Sequence, residues 1–394
     1  MIHLWRSIPV QTFDAEATIA LGRERPELLA VAQLALDAGR PIVGKDVTRE
    51  LLGGLPEHVG WLVIDRCVHL GLLVQRGNRG PAELSEGGSI ALEHGQVLVP
   101  EEGVFRFYLA DDPLLDAALL HVAPLRSTSA KESRQALYDA KKGNARALQG
   151  ALAPTELGRV PANQTLLSGV NGSMFEVREA PRLGQAGPVG SVRLDLRWES
   201  DGAPEVLVTG ELPGPGDDVA PLIADFRVET PEKLRTLSFD TLWTALIEEA
   251  THVPSSTLNQ WRQLAKRLVL PSDFAELPDA ARRSFTQDVD VPDVQIDEIG
   301  AFHASTIPKV EVVPASQADA LDWCHWLQWD AVSQGYATRA MLDATGAAIR
   351  ARFPHHSPRQ MTARELLVRA GRERADRRSW NLLAPSDLGL WSNE

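Results

Sequence analysis

Residues 26–98 read PELLAVAQLALDAGRPIVGKDVTRELLGGLPEHVGWLVIDRCVHLGLLVQRGNRGPAELSEGGSIALEHGQVL. Leu28, Leu29, Val31, Ala32, Leu34 and Leu36 recur at helical spacing, with Pro26 at a first-turn position and Gly39 at the stop. A short segment from Lys45 to Leu52 is closed by Gly53-Gly54. From Pro56 to Leu73, the residues Val59, Leu62, Val63, Cys67, Leu70 and Leu73 share one helical face. Leu73–Gln75 then reads as a strand, Arg76-Gly77-Asn78-Arg79-Gly80 as a turn, and Ala82–Leu84 as the returning strand.

Three short helices with tight glycine turns are the core of a helix-turn-helix. The stretch LSEGGSIALEHG at 84–95 resembles the end of the wing and the following helix in winged-helix proteins of bacteria. The resemblance covers residues 26–98, about a fifth of the chain, and implies a fold rather than an activity. A DNA reader of this kind presents basic and amide side chains from its second helix and neutralises phosphates. Helix 57–72 carries Arg66 against Glu57 and Asp65, and residues 1–98 hold 9 basic and 12 acidic residues, a net −3. Arg76 and Arg79 on the wing are the residues placed for a phosphate backbone. A module used for protein contact, or as a scaffold, fits the same residues.

The 394 residues suffice for two or three domains. Hydrophobic content of 44% and charged content of 24% are ordinary for a globular chain, and charges or Pro/Gly interrupt every apolar run short of a membrane span. The start, MIHLWRSIPVQTFDAEA, lacks a continuous apolar segment after a basic residue, so no secretory leader is expected. Cys67 and Cys324 lie in apolar helical patterns and are expected as buried free thiols in a reducing cytosol. The net charge of −13 excludes a protein that coats nucleic acid with its whole surface.

The remaining chain predicts an α+β protein in four parts: an N-terminal arm and winged helix (1–98), a strand plus basic helical connector (99–159), a small antiparallel β unit (160–230) and a helical C-terminal domain (231–394). Residues 1–25 read as an arm or a leading strand packed onto the module, with Leu4, Trp5, Ile8 and Val10 as its apolar anchors. Val104–Leu109 has strand composition, Asp111-Asp112-Pro113 stops it, and Leu114–Val122 follows as a short helix. Residues 126–146 hold six basic and two acidic residues, either as a solvated linker helix or a phosphate-facing one. Asn171-Gly172 marks a hairpin between 166–170 and 173–177. Val192, Leu194, Leu196 and Trp198 alternate with charged residues, and Val206–Thr209 and Ile223–Val228 add strands, with 212–218 as an exposed loop. From Ser238 onward, faces such as Phe239, Leu242, Trp243, Leu246 and Ile247, then Leu258, Trp261, Leu264, Leu268 and Leu270, read as helices. Leu277–Phe285 reads as another, residues 286–314 read as a long unpaired segment, and Thr362-Ala363-Arg364-Glu365 matches a capping box.

Chemistry-bearing patterns are scarce. There is no phosphate-cradling glycine loop and no Gly-x-Ser-x-Gly elbow, although a Ser-His-Asp triad needs no local signature. Cys67 with His69, Cys324 with His325, and His355-His356 are isolated pairs rather than metal-ligand sets. Trp323, Trp326 and Trp329 would stack bases if exposed, but spacing of three also makes a core-facing stripe. Residues 199–321 hold 22 acidic against 9 basic residues, whereas 336–378 hold 10 arginines against 4 acidic residues. Arginine-only cationic chemistry suits bidentate contacts to phosphates or carboxylates, and packing of the basic part on the acidic part is the alternative.

These features lead to a non-catalytic winged-helix subunit of a bacterial nucleic-acid-handling complex, with anti-phage defence as one setting. It would be cytoplasmic, with protein partners and double-stranded DNA, and without metal, cofactor or membrane. Phosphate contacts are assigned to Arg66, Arg76, Arg79, Lys141, Lys142, Arg372, Arg374, Arg377 and Arg378. A ligand-responsive transcription regulator, with the β and helical parts as sensor and dimeriser, is the first alternative. An enzyme whose site assembles only in three dimensions is the second.

Overall fold

In the computed structural model the first residues are a leading strand rather than an arm, and they belong to a sheet: Ile2–Arg23 is a single strand, β1, at the centre of a ten-stranded sheet. Residues 1–77, 79–115, 119–125, 131, 135, 138, 151–152, 158–179, 181, 184–214, 219–252, 262–264, 267–270, 278–297, 299–332, 335–373 and 376–389 are described. The chain is a mixture of helix and sheet in two compact units. One comprises Trp5–Leu196 and Pro204–Arg235, and the other Met1–Leu4, Arg197–Ala203 and Thr236–Glu394.

In the first unit, helices α1 (Pro26–Ala38), α2 (Gly44–Glu50) and α3 (Glu57–His69) follow β1. A hairpin of β2 (Leu73–Gln75) and β3 (Ala82–Leu84) comes next, then α4 (Glu86–His94). Strand β4 (Val97–Ala110) returns antiparallel along β1, from Arg23 opposite Val97 to Val10 opposite Ala110. The helical module is therefore an insertion at the tip of one long hairpin, not a domain that precedes the sheet. Only residues 24–25 and 95–96 connect it to the ribbon, and Val97 belongs to its core with Val31, Ile42, Val47, Ile64, Cys67 and Leu73. Within it, a Cβ on Gly60 would lie 2.0 Å from the Gly44 carbonyl oxygen, so α2 and α3 meet with backbone against backbone. Ser85 caps α4 by accepting from the Gly88 N–H at 2.9 Å. Cys67 is buried and free, and burial pushes its thiol up to about 11.

Strand β5 (Leu119–Pro124) pairs with the far side of β4, which corrects the helix expected over Leu114–Val122. The buried edge of β4 needs a hydrogen-bonding partner, and that requirement outweighs the local pattern. Strands β6 (Ala151–Leu152), β7 (Thr165–Leu167), β8 (Met174–Val177) and β9 (Gly184–Ala186) follow. Then come β10 (Gly190–Trp198), β11 (Glu205–Glu211) and β12 (Leu222–Val228). A hairpin spans Asn171-Gly172, but its strand pairing stops at Leu167 opposite Met174, so residues 168–173 form a longer connection than the two-residue turn expected between 166–170 and 173–177. The strands of 160–230 do not form a sheet of their own. β8, β9 and β10 all pair with β1, in the order β12-β11-β10-β1-β4-β5 along the main path.

The β1/β4 register separates two faces. Phe13 opposite Phe107 and Ala15 opposite Phe105 point into a core shared with Ile19, Leu109, Val122, Phe175 and Val177. Thr12 opposite Tyr108 and Asp14 opposite Arg106 occupy the other face, which is also buried. There the Arg106 guanidinium donates to both Asp14 carboxylate oxygens at 2.7 and 2.9 Å, and to the Gly214 carbonyl at 2.6 Å. Tyr108 donates to the Pro213 carbonyl at 2.9 Å, and Thr12 to that of Pro188 at 2.7 Å. The loop expected to be exposed thus has its described part, Leu212–Gly214, buried or half-buried, because its carbonyls satisfy these polar groups.

The second unit corrects the expectation of an all-helical C-terminus. Helices α5 (Glu232–Thr236, largely in the first unit) and α6 (Phe239–His252) are followed by strands β13 (Arg262–Leu264) and β14 (Arg267–Leu270). After α7 (Asp279–Ser284), the segment expected to be unpaired forms β15 (Thr286–Val291), β16 (Val294–Ile296), β17 (Gly300–Phe302) and β18 (Ser305–Pro314). The four-stranded sheet runs β13-β14-β18-β15, and β16 and β17 pair with each other. The strands bury Val289, Val291, Ile307, Val310 and Val312, while Asp288, Asp290 and Glu311 stay exposed. Helices α8 (Gln317–Ala331), α9 (Arg339–Ala351), α10 (Ala363–Arg372) and α11 (Arg377–Asp387) complete the chain. Trp323 and Trp329 are fully buried and Trp326 half-buried, so this stripe faces the core. Cys324 is likewise a buried free thiol.

Candidate nucleic-acid interface

Helix α3 and the β2–β3 hairpin carry the first three predicted cations. The outward stripe of α3 is His58, Leu62, Asp65, Arg66 and His69, all exposed, with Leu62 64% accessible. Arg76 and Arg79 are exposed at the hairpin turn. Arg79 adopts a φ of 55°, the left-handed region that costs a non-glycine residue about 1–2 kcal/mol. Among the described residues, the side chains of Arg66, Arg76 and Arg79 make no hydrogen bond or ion pair. Other arginines of this unit are engaged: Arg23 with Glu101, Arg40 with Asp46, Arg106 with Asp14, Arg193 with Asp195 and Arg227 with Glu205.

The C-terminal cations divide. Arg372 and Arg377 are exposed and unpaired among the described residues. Arg378 is not available as a phosphate contact. Its guanidinium is held by Asp376 at 2.8 Å, lies 3.8 Å from Asp330 and sits 5.7 Å from the Trp329 ring centre. Arg378 holds the Asp376 carboxyl down to about 2, below the usual carboxylate range. Lys141, Lys142 and Arg374 lie outside the described residues.

The structure also brings together one pair with no local signature. His121 on β5 places its Nδ1 2.7 Å from the Ser168 hydroxyl, and the Ser168 oxygen also accepts the Val170 N–H at 3.2 Å. A hydroxyl this close to an imidazole is arranged for proton transfer, but Ser168 is only 1% exposed. Burial alone lowers the His121 pKa to about 4, with no carboxylate contributing. The pair acts as a buttress that fastens the turn to β5, together with the Gly169 N–H bond to the Leu120 carbonyl at 2.9 Å. Since His121 stays neutral in the folded chain, only the unfolded chain takes up its proton between about pH 6.5 and pH 4. Its contribution is therefore intact above pH 6.5 and is lost as pH falls, by up to about 3 kcal/mol at pH 4. Chemical denaturation at pH 7 and pH 4.5 is expected to show a smaller acid-induced loss in His121→Gln than in the wild type; equal losses would contradict this assignment.

A cleft of about 220 Å³ in the second unit is lined by Gln328, Val332, Tyr336, Met341, Leu342 and Leu366, among others. At its floor the Gln328 amide is buried, accepting from the Met361 N–H at 2.7 Å. Among the described residues no group of three or more His, Cys, Asp or Glu is placed to hold a metal ion, and no helix is long and apolar enough to cross a membrane. His325 and His356 instead donate to the carbonyls of Arg359 and Pro314 at 3.0 and 3.1 Å. No family model, curated protein or solved structure matches this chain.

Proposed function

We propose that this chain is a non-catalytic binding subunit. Its inserted module acts as a winged helix that takes a nucleic-acid backbone on the face formed by α3 and the β2–β3 hairpin. The observation that carries this reading is the freedom of Arg66, Arg76 and Arg79 in a unit whose other arginines are largely ion-paired. The positive φ of Arg79 supports it, because a backbone cost retained at an exposed turn calls for a use. The two-residue links to the β1/β4 ribbon favour a module carried at a set orientation rather than on a tether. Leu62, Asp65 and Glu57 on α3 offer little base-edge readout, so affinity comes mainly from phosphates and sequence preference is weak.

The test is fluorescence anisotropy of the full chain with a random-sequence duplex across a salt series. Arg76→Ala with Arg79→Ala is expected to flatten the log–log salt slope by about 2 and to weaken binding at 0.1 M salt by roughly fifty-fold. No binding by the wild type, or an unchanged slope in the variant, would count against the assignment. The cleft lined by Gln328 and Tyr336 favours a second reading, a ligand-responsive regulator. That protein would keep a large preference for an operator sequence over random duplex at physiological salt.

A further inference from the structure

Helix α10 presents a stripe of its own, Arg364, Val368 and Arg372, one residue every four positions. At 1.5 Å per residue they stand about 6 Å apart along the axis. The side chains of Arg364 and Arg372 are exposed and make no hydrogen bond or ion pair among the described residues, and Val368 between them is 50% exposed. They line a groove of about 510 Å³ with Glu365, Arg369 and Glu373. The two carboxylates are already engaged. Glu365 accepts both terminal nitrogens of Arg359 at 2.8 and 2.9 Å and the Thr362 N–H at 2.8 Å, and is drawn down to about 2 chiefly by Arg359. Glu373 accepts from Arg369 at 2.9 Å, and Arg369 also covers the Trp329 ring at 4.6 Å. What is left is two uncompensated cations with an exposed apolar side chain midway between them.

We propose that this groove binds an acidic segment of a partner protein in extended conformation, with one apolar side chain between two carboxylates. In an extended strand, alternate residues share a face and lie about 6.6 Å apart, which matches the arginine–valine–arginine repeat. The acids meet Arg364 and Arg372, and the apolar residue covers Val368. A nucleic-acid backbone fits less well. It would set a phosphate over Val368 and bring further anions beside Glu365 and Glu373. The surface shares no residue with α3 or the β2–β3 hairpin, so failure of one site leaves the other standing.

The experiment titrates the full chain with a labelled, capped peptide of pattern Asp-Thr-Leu-Thr-Asp, and in parallel with an oligothymidylate. Wild type is expected to bind the peptide, about tenfold tighter than the variant Arg364→Glu with Arg372→Glu. Val368→Asp, and a scrambled peptide with adjacent acids, are each expected to abolish most of the binding. All three positions are exposed, so circular dichroism should show unchanged folding in these variants. The proposal is overturned by absence of peptide binding at millimolar concentration, or by equal affinity for the scrambled peptide. It is equally overturned if oligothymidylate binding is lost on charge reversal while Val368→Asp has no effect.

Discussion

Asp14→Ala is expected to cost the first unit about 3–5 kcal/mol of stability. Its carboxylate is buried on β1 opposite Arg106 on β4, in the centre of the hairpin that carries the inserted module. Burial works against the Arg106 charge, but the paired hydrogen bonds and charge of Asp14 prevail and hold the guanidinium above its ordinary pKa. Removing Asp14 leaves that cation with the Gly214 carbonyl and no counter-charge among the described residues. The loss reflects a stranded charge rather than the worth of the pair, and the two are separable. Asp14→Leu with Arg106→Met is expected to recover most of the deficit, since no buried ion remains. Denaturant midpoints of the two variants measure the difference. A single variant as stable as wild type, or a double variant worse than the single, would contradict the assignment.

Trp323→Ala is expected to have a similar effect in the second unit, about 3–5 kcal/mol. The indole is fully buried and stacks on Phe285 with ring centres 4.5 Å apart, while Phe353 meets both rings edge-on. Its N–H donates to the Arg282 carbonyl at 2.9 Å, so truncation opens a cavity and also orphans a backbone acceptor. Trp323→Phe keeps much of the stacking and should cost about half as much. Unfolding followed by denaturant midpoint, with the fluorescence of the remaining tryptophans as a probe, gives the comparison. If the alanine variant loses less than the phenylalanine variant, the packing assigned to Trp323 is wrong.

What the sequence disclosed was local. The helices read within residues 26–72, the Asn171-Gly172 turn and the Thr362/Glu365 capping box each depend on residues a few positions apart and are present, but Leu62, read onto the apolar face with Cys67, is instead 64% exposed, and Gly60 and Ile64 are buried with Cys67. What it concealed was pairing over distance. Ile2, Leu4, Ile8, Val10, Phe13 and Ala15 suit a strand, but the edge β1 needs arrives only at Val97–Ala110 and beyond. No local pattern in the first 25 residues shows that a module will interrupt the hairpin. In TQDVDV at 286–291 and KVEVVP at 309–314 the period-two alternation was visible, but the aspartates and prolines around it suggested a solvated loop.

Cation availability was concealed for the same reason. Arg76 has no acidic neighbour in sequence and stays free, whereas Arg378 is held by Asp376 two residues before it and also lies near Asp330, a distant contact that no local pattern shows. The His121–Ser168 pair has no signature because its members come together through β5 and a distant turn. The stripe of Arg364, Val368 and Arg372 was written at helical spacing, but its use depended on knowing that Arg359 and Arg369 engage the neighbouring glutamates.

The central claim is that nucleic acid lands on the inserted module. Amide hydrogen exchange of the full chain with and without a saturating random-sequence duplex tests it most directly. Slowed exchange is predicted in peptides covering Glu57–His69 and Leu73–Leu84, and this slowing should disappear in the Arg76→Ala, Arg79→Ala variant. Protection confined to residues 339–388, or no protection anywhere under conditions where the duplex is bound, would contradict it.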